Sequence, residues 1–441
     1  MRKKTEVGAF VLLFIIIGLF LSGQEYETNR IKKMQWFADA KLGIFIHWGI
    51  YAVYGIDESW SFYNGYISYQ DYMKQLDGFT AAKYDADRWA KIIKQIGAKY
   101  AVLTSKHHDG VALWPTKMND LNVVEKTPAG RDLLEPFCRA LRKQNIKVGL
   151  YFSHLDWSHP DYPHFTGSQK RYDINQEPER WDNFVEFRNK QVEEISRLYR
   201  PDLFWFDGDW DFSAEEWKSK ELRDMILSYL PEVVINSRLN GYGDYGTPEQ
   251  GVPVTRPQAQ FWELCMTMND SWGYQGNDHN YKIPNQIIRI FVDCISRGGN
   301  LLLDIGPKED GVIPAEQINI LEKLGRWTHK HAEAIYSTTA GIPYDHFYGP
   351  TTLSKDGKTL FLFLDYMPKG SVVVKGIKNH INRIRVVGNG IKLSWKIMGK
   401  QYWSENPGLL YIDIPENALD EQVTVIALQL NEPIELFREN D

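Results

Sequence analysis

Leu203-Phe204-Trp205-Phe206-Asp207-Gly208-Asp209-Trp210 joins a short apolar run to an abrupt acidic break. Four apolar and aromatic residues suit a buried strand, and the acid and glycine that follow end it. In a parallel α/β protein the carboxyl ends of the strands carry the chemistry, so Asp207 arrives where a reacting group is expected. A carboxylate framed by aromatic rings suits a site that grips a sugar.

Outward from this run, strand-like and helical segments alternate for about 300 residues. The apolar runs predict strands at Leu42–His47, Tyr100–Ser105, Lys147–Phe152, Leu203–Phe206, Val233–Asn236, Phe261–Trp262 and Leu301–Asp304. Three- and four-residue spacing predicts helices at Asp87–Ile96, Leu133–Gln144, Trp181–Tyr199, Glu215–Leu230 and Pro284–Ser296. Repeated βα units of this size point to an irregular (β/α)8-like barrel. An open doubly wound sheet is the runner-up, but no Gly-rich dinucleotide fingerprint follows the first strand.

The texture changes near residue 340. Ala315–Tyr336 reads as a closing helix and Thr338–Pro343 as a linker. Beyond lie short β-rich runs at Thr359–Leu364, Ser371–Val374, Ile384–Val387, Leu393–Ile397, Leu409–Ile414 and Gln422–Leu428. Hairpin signals such as Asp356-Gly357 separate them, so a C-terminal antiparallel β-sandwich is expected. The predicted organisation is a signal segment at 1–23, a catalytic barrel at 24–340 and a sandwich at 341–441.

The net charge of −6 argues against nucleic acid or an anionic membrane surface as partner. Arg2, Lys3 and Lys4 precede an apolar run, Val7–Leu21, and small residues follow at Ser22-Gly23. This is the pattern of a cleaved export signal, too short for a span, and predicts a periplasmic or extracellular protein without stable membrane insertion. Cys138, Cys265 and Cys294 are too few and too widely spaced for a disulfide framework or a zinc site, and read as buried apolar side chains.

Most predicted barrel strands end in a polar cluster: His47-Trp48-Gly49, Lys106-His107-His108-Asp109, Ser153-His154, Asn236-Ser237-Arg238 and Trp262-Glu263. Adjacent residues on a strand face opposite ways, so His107 and His108 are poorly placed to share an ion, and neither a metal nor an organic cofactor is expected. The absence of a Gly-x-Ser-x-Gly elbow speaks against a serine hydrolase. Two carboxylates are the better engine, one to protonate a leaving oxygen and one to capture the sugar cation. Asp207 is the candidate nucleophile. Its partner is expected on the Gly- and Pro-rich segment Gly241–Gln258, which carries Asp244 and Glu249. Asp209 and Asp211 rank behind, as capping residues.

These residues closely resemble the retaining α-L-fucosidases of glycoside hydrolase family 29. The resemblance runs from about Trp36 to Tyr336. Its motifs include Gly43-Ile44-Phe45-Ile46-His47-Trp48-Gly49, Ser105-Lys106-His107-His108-Asp109-Gly110, Trp205-Phe206-Asp207, Thr247-Pro248-Glu249, Ser271-Trp272-Gly273-Tyr274 and Asn300-Leu301-Leu302-Leu303-Asp304. It implies Asp207 as nucleophile and Glu249 as general acid/base, with Glu263 as the alternative. The implied fucose pocket comprises His47, Trp60, His107, His108, Tyr151, Trp205, Arg238 and Trp272. The implied activity is exo-acting removal of terminal α-L-fucosyl residues from glycans by double displacement. Burial among aromatic rings is expected to set Glu249 apart from Asp207.

This chain departs from the family pattern at Asp57-Glu58-Ser59-Trp60, where many members place a Glu directly before the Trp. On an extended segment the displaced Glu58 would face the other way unless a bulge restored it. Altered hydroxyl recognition would make an α-L-galactosidase the alternative enzyme. A non-catalytic carbohydrate-binding protein is the rival from another class, although a lectin has no need of a carboxylate pair.

Overall fold

A computed structural model describes residue 28 and residues 30–438. The segment expected to be an export signal lies outside the described residues.

Seven parallel strands build the central sheet: β1 (Leu42–Ile46), β2 (Tyr100–Lys106), β3 (Lys147–Ser153), β4 (Leu203–Asp207), β5 (Val234–Ile235), β6 (Glu263–Thr267) and β7 (Asn300–Ile305). Their order is β5-β4-β3-β2-β1-β7-β6, a curled sheet whose two ends are β5 and β6. The gap between those ends is spanned by residues 245–249. Parallel bridges pair Asn236 with Tyr245, Gly246 with Trp262, and Glu249 with Cys265. The expected eighth strand is therefore an irregular one, inside the Gly- and Pro-rich segment Gly241–Gln258.

Alternation along the strands sorts the core into two clusters. Phe45, Val102, Tyr151, Leu203, Trp205 and Leu302 pack together in one. Their neighbours Ile44, Leu103, Leu150, Phe204, Phe206 and Leu303 join the helices in the other. Met34, Phe37 and Ala40, on the helical stretch 30–40, belong to the first cluster and stopper one end of the barrel. At Gly43 a β-carbon would lie 2.4 Å from the Tyr100 ring, so only glycine lets that ring into the interior.

The strand expected at Phe261–Trp262 begins instead at Glu263. Trp262-Glu263 thus stands at the amino end of β6, not at its carboxyl end. Two aromatic residues drew the prediction there, whereas pairing with Asn300–Asp304 sets the real register.

The C-terminal strands form a five-stranded antiparallel sheet and a three-stranded one. Thr338–Ala340, expected to be a linker, is the first strand of the larger sheet because it pairs with Thr351–Ser354. In Thr359–Leu364, Leu360, Leu362 and Leu364 face the sandwich core, while Phe361 and Phe363 pack with the barrel's helices. Trp327, on the closing helix Ala315–Lys330, donates its indole N–H to the Val423 carbonyl at 2.9 Å. Burying both faces of one sheet is what joins sandwich to barrel.

Candidate active site

β4 ends on Asp207, which is 8% exposed at the carboxyl end of the barrel. Gly208 follows with φ of 86°, and a β-carbon there would meet Leu155 Cγ at 2.4 Å. A left-handed turn in that space requires glycine, which explains the abrupt Asp-Gly break in the sequence. Asp207 Oδ2 accepts from Tyr151 OH at 2.9 Å, and Oδ1 accepts from Arg238 Nη1 at 2.6 Å.

Arg238 follows β5 and lies over the Trp205 ring at 4.6 Å. Its other terminal nitrogen, Nη2, donates to Glu249 Oε2 at 2.5 Å. One guanidinium therefore touches both candidate carboxylates. Glu249 stands on the barrel-closing segment with 39% of its side chain exposed. The expected burial among aromatic rings is not what sets it apart: it lies at the mouth, where residues 249–251 are exposed.

The other carboxylates weighed from sequence are occupied elsewhere. Glu263 is fully buried and accepts from Tyr100 OH, Trp205 Nε1 (3.0 Å) and Tyr245 OH (3.4 Å). Burial raises its pKa to about 7, against the opposing effect of those donors. Asp244 pairs with Lys33 at 2.7 Å and caps the Ile235 N–H. Asp209 accepts from Asn240 N–H at 2.8 Å, and Asp211 from Tyr162 OH at 2.6 Å.

β2 carries a register shift between Thr104 and Lys106. Beyond the shift both histidines turn to the pocket side, their rings 4.3 Å apart, contrary to the opposite orientations expected on a regular strand. Ser153 Oγ donates to the Leu155 carbonyl and so accepts from His108 Nδ1 at 2.6 Å. His108 Nε2 is then a bare acceptor, 3.6 Å from Asp207 Oδ2. Ser59 Oγ accepts from Asp109 N–H at 2.8 Å and lies 2.7 Å from His107 Nδ1, which fixes the ring with Nε2 as its free nitrogen.

Burial, reinforced by Lys106, lowers the His108 pKa to about 3. Burial and the neighbouring histidines also hold His47 and His107 well below their ordinary value. All three are neutral hydrogen-bonding rings at physiological pH. His47 Nδ1 lies 2.7 Å from Asp304 Oδ1, and burial pushes the Asp304 pKa up while it lowers that of His47, so the site opposes charge on both partners of this contact.

Aromatic rings complete the wall. Trp272 lies 5.0 Å from His47, Trp60 edge-on to His108 at 5.4 Å, and Tyr151 stacked with Trp205 at 5.7 Å. Linked ring contacts and hydrogen bonds thus connect His47, Trp60, His107, His108, Tyr151, Trp205, Arg238 and Trp272.

The segment before Trp60 is not extended. Ser59 is helical (φ −39°, ψ −25°) and opens the helix Trp60–Tyr63. Glu58 is buried, accepting from the Gly273 N–H beside Trp272. Burial raises its pKa to about 7.

Two supporting residues escaped the sequence reading. Arg188, on the helix Pro178–Leu198, donates to His154 Nδ1 at 3.0 Å. His154 must then donate from Nε2 to the Arg238 carbonyl at 3.2 Å, and its backbone N–H donates to the Asp207 carbonyl at 2.8 Å. The available signal was a cation on the apolar face of the helix, among Phe184, Gln191 and Ile195. Asp304, an acid inside the apolar run Leu301–Ile305, was a similar sign.

Comparison with known proteins gives a consistent result. The family described as "Alpha-L-fucosidase" matches residues 22–333. "Tissue alpha-L-fucosidase" of Bos taurus is 31% identical over 397 residues, covering 82% of this chain and 81% of that protein. The structure of alpha-L-fucosidase isoenzyme 1 from Paenibacillus thiaminolyticus superposes with a TM-score of 0.82 at 32% identity, covering 91% of this chain and all of that one. A trapped covalent intermediate of a Bacteroides thetaiotaomicron alpha-L-fucosidase, with 2-fluoro-fucosyl fluoride, gives 0.80 at 28% identity, covering 91% and 96%.

Proposed function

The chain belongs to the alpha-L-fucosidase family and is a glycoside hydrolase, and from that premise we propose how its residues carry the reaction. It is an exo-acting, retaining α-L-fucosidase. Asp207 attacks the anomeric carbon while Glu249 gives its proton to the departing glycosidic oxygen. Water, deprotonated by the same Glu249, then attacks the glycosyl ester, and the Asp207 carboxylate leaves.

The observation that carries this reading is the Arg238 guanidinium touching both carboxylates, one sunk at a strand end and one exposed at the mouth. The sunken group has the fixed aim a nucleophile needs. The exposed group can meet both the leaving oxygen and the incoming water. His47, His107 and His108 supply neutral donors and acceptors for the sugar hydroxyls, and Trp60, Trp205 and Trp272 pack on the face bearing the C6 methyl group.

Residues 24–340 are taken as the catalytic unit, 341–441 as its packing support, and 1–23 as an export signal to the periplasm or the extracellular space. No helix among the described residues is long and apolar enough to cross a membrane.

NMR of the first sugar released from an aryl α-L-fucoside tests the proposal. The α-anomer is expected first, and β-anomer first, or no fucose released at all, would overturn it. The small Ser59 beside His107 favours a second substrate, an α-L-galactoside, whose extra hydroxyl replaces a C6 hydrogen. Turnover of the matched aryl α-L-galactoside measures that tolerance.

A further inference from the structure

Trp210 is the only exposed tryptophan outside the sandwich among the described residues, with 53% of its surface in solvent. It lies three residues beyond Asp207, in the short turn Asp209–Asp211. Its ring stands edge-on to His108 at 6.2 Å, and His108 in turn faces Asp207. Rings around His108 run outward from buried Trp157 through Trp60, and Trp210 is the outermost.

The backbone on both sides of this ring is held. Gly208 is wedged against Leu155. Asn240 donates to the Asp209 carboxylate and, from its amide, to the carbonyls of Asp209 and Phe212. Asp211 accepts from Tyr162 and lies 2.9 Å from His164 Nδ1, and Phe212 packs on Trp181 at 4.5 Å. Every neighbour is tied down, while the large apolar ring between them is left in water. A fixed, exposed tryptophan loses little conformational entropy when a ligand lies on it.

We propose that Trp210 is the platform of an aglycone subsite, on which the pyranose ring next to the scissile bond lays its C–H face. The inference rests on the fucosidase reading above. The occupant is a sugar and not a protein partner, because the exposed ring is continuous through His108 with the site that holds Asp207. The chain therefore favours fucosylated oligosaccharides over fucosides with small leaving groups.

The test compares two substrates that share the fucosyl group. One is α-L-fucosyl fluoride, which has no aglycone ring. The other is the member of a panel of fucosyl disaccharides, varied in linkage, that wild type cleaves fastest. Trp210→Ala should lower kcat/KM for the disaccharide about tenfold, mainly through KM, a loss equivalent to about 1.4 kcal/mol. It should leave the fluoride unchanged. Trp210→Phe, which keeps a smaller ring, should lose less. Equal losses on both substrates would mean that Trp210 acts through His108, and no loss on either would mean that substrate never reaches it; each overturns the subsite. A Phe variant no better than Ala overturns stacking. If wild type released fucose from neither substrate, the fucosidase reading would fall, and the subsite with it.

Discussion

Replacing Glu249 and Glu263 in turn should give opposite phenotypes, because the two carboxylates live in different surroundings. Glu249 is 39% exposed and its ion pair is with Arg238, which keeps Asp207 as a second partner. Glu249→Ala should therefore cost less than about 1 kcal/mol of stability, since solvent screens such a pair. Its catalytic cost should be on the order of 10²–10⁴ in kcat/KM for poor leaving groups, the usual worth of a general acid. With an activated leaving group the first step survives, and the ester on Asp207 waits for a base that is gone. Azide needs no base. It should displace the Asp207 carboxylate, restore turnover and yield α-L-fucosyl azide.

Glu263→Ala instead strips the acceptor from Tyr100, Trp205 and Tyr245, all buried. At about 1–3 kcal/mol for each stranded donor, the loss is on the order of 5 kcal/mol, a large share of a typical domain's stability. Glu263→Gln keeps an acceptor and should fold. It should respond to azide no more than wild type does. The assay is the initial rate on aryl α-L-fucosides of graded leaving-group ability, with and without azide, alongside urea unfolding and NMR of the azide product. Azide rescue of Glu263→Gln, with Glu249→Ala still cleaving poor leaving groups, would refute the assignment.

In Asp207→Gly, azide should fill the vacated space and expel the aglycone directly, so the product is β-L-fucosyl azide; an α-product would show that another group is the nucleophile. Glu58 has its pKa raised to about 7 by burial, so between about 4.5 and 7 the folded chain holds a proton that the unfolded chain has lost. Stability from this group is complete below about 4.5 and lost as pH rises through 7, a swing of about 3 kcal/mol. Glu58→Gln should therefore be stabilised relative to wild type at pH 8 compared with pH 5, and a difference in unfolding free energy that does not change with pH would refute this. Phe363 is fully buried, 6.4 Å from Trp327. Phe363→Ala should cost about 3–5 kcal/mol in urea unfolding, and a loss below about 1 kcal/mol would show that the sandwich does not brace the barrel there.

Local pattern was enough wherever one element carried the information. Thr359–Leu364 is a strand at its expected bounds, and Pro284–Ser296 a helix at its expected bounds, because periodicity and flanking breaks are local. Thr338–Ala340 was not legible, since three residues reveal a strand only through the partner that bonds them. The bulge that turns both histidines inward was hidden in the same way: register belongs to a pair of strands. The helical turn at Ser59 was missed because its short helix is held by the loops around it, not by its own propensity.

The sequence by itself determined the alternation of strands and helices, the glycine-forced end of β4 and the carboxylate delivered there, since each depends on residues next to one another. Only the tertiary structure decided which end of β6 holds Glu263 and which wall holds Glu249. Those positions depend on pairing between segments far apart in the chain. It also decided that one arginine, steered by His154 and Arg188 from two other elements, would lie between Asp207 and Glu249. A hydrogen bond between distant residues leaves no period and no spacing to read.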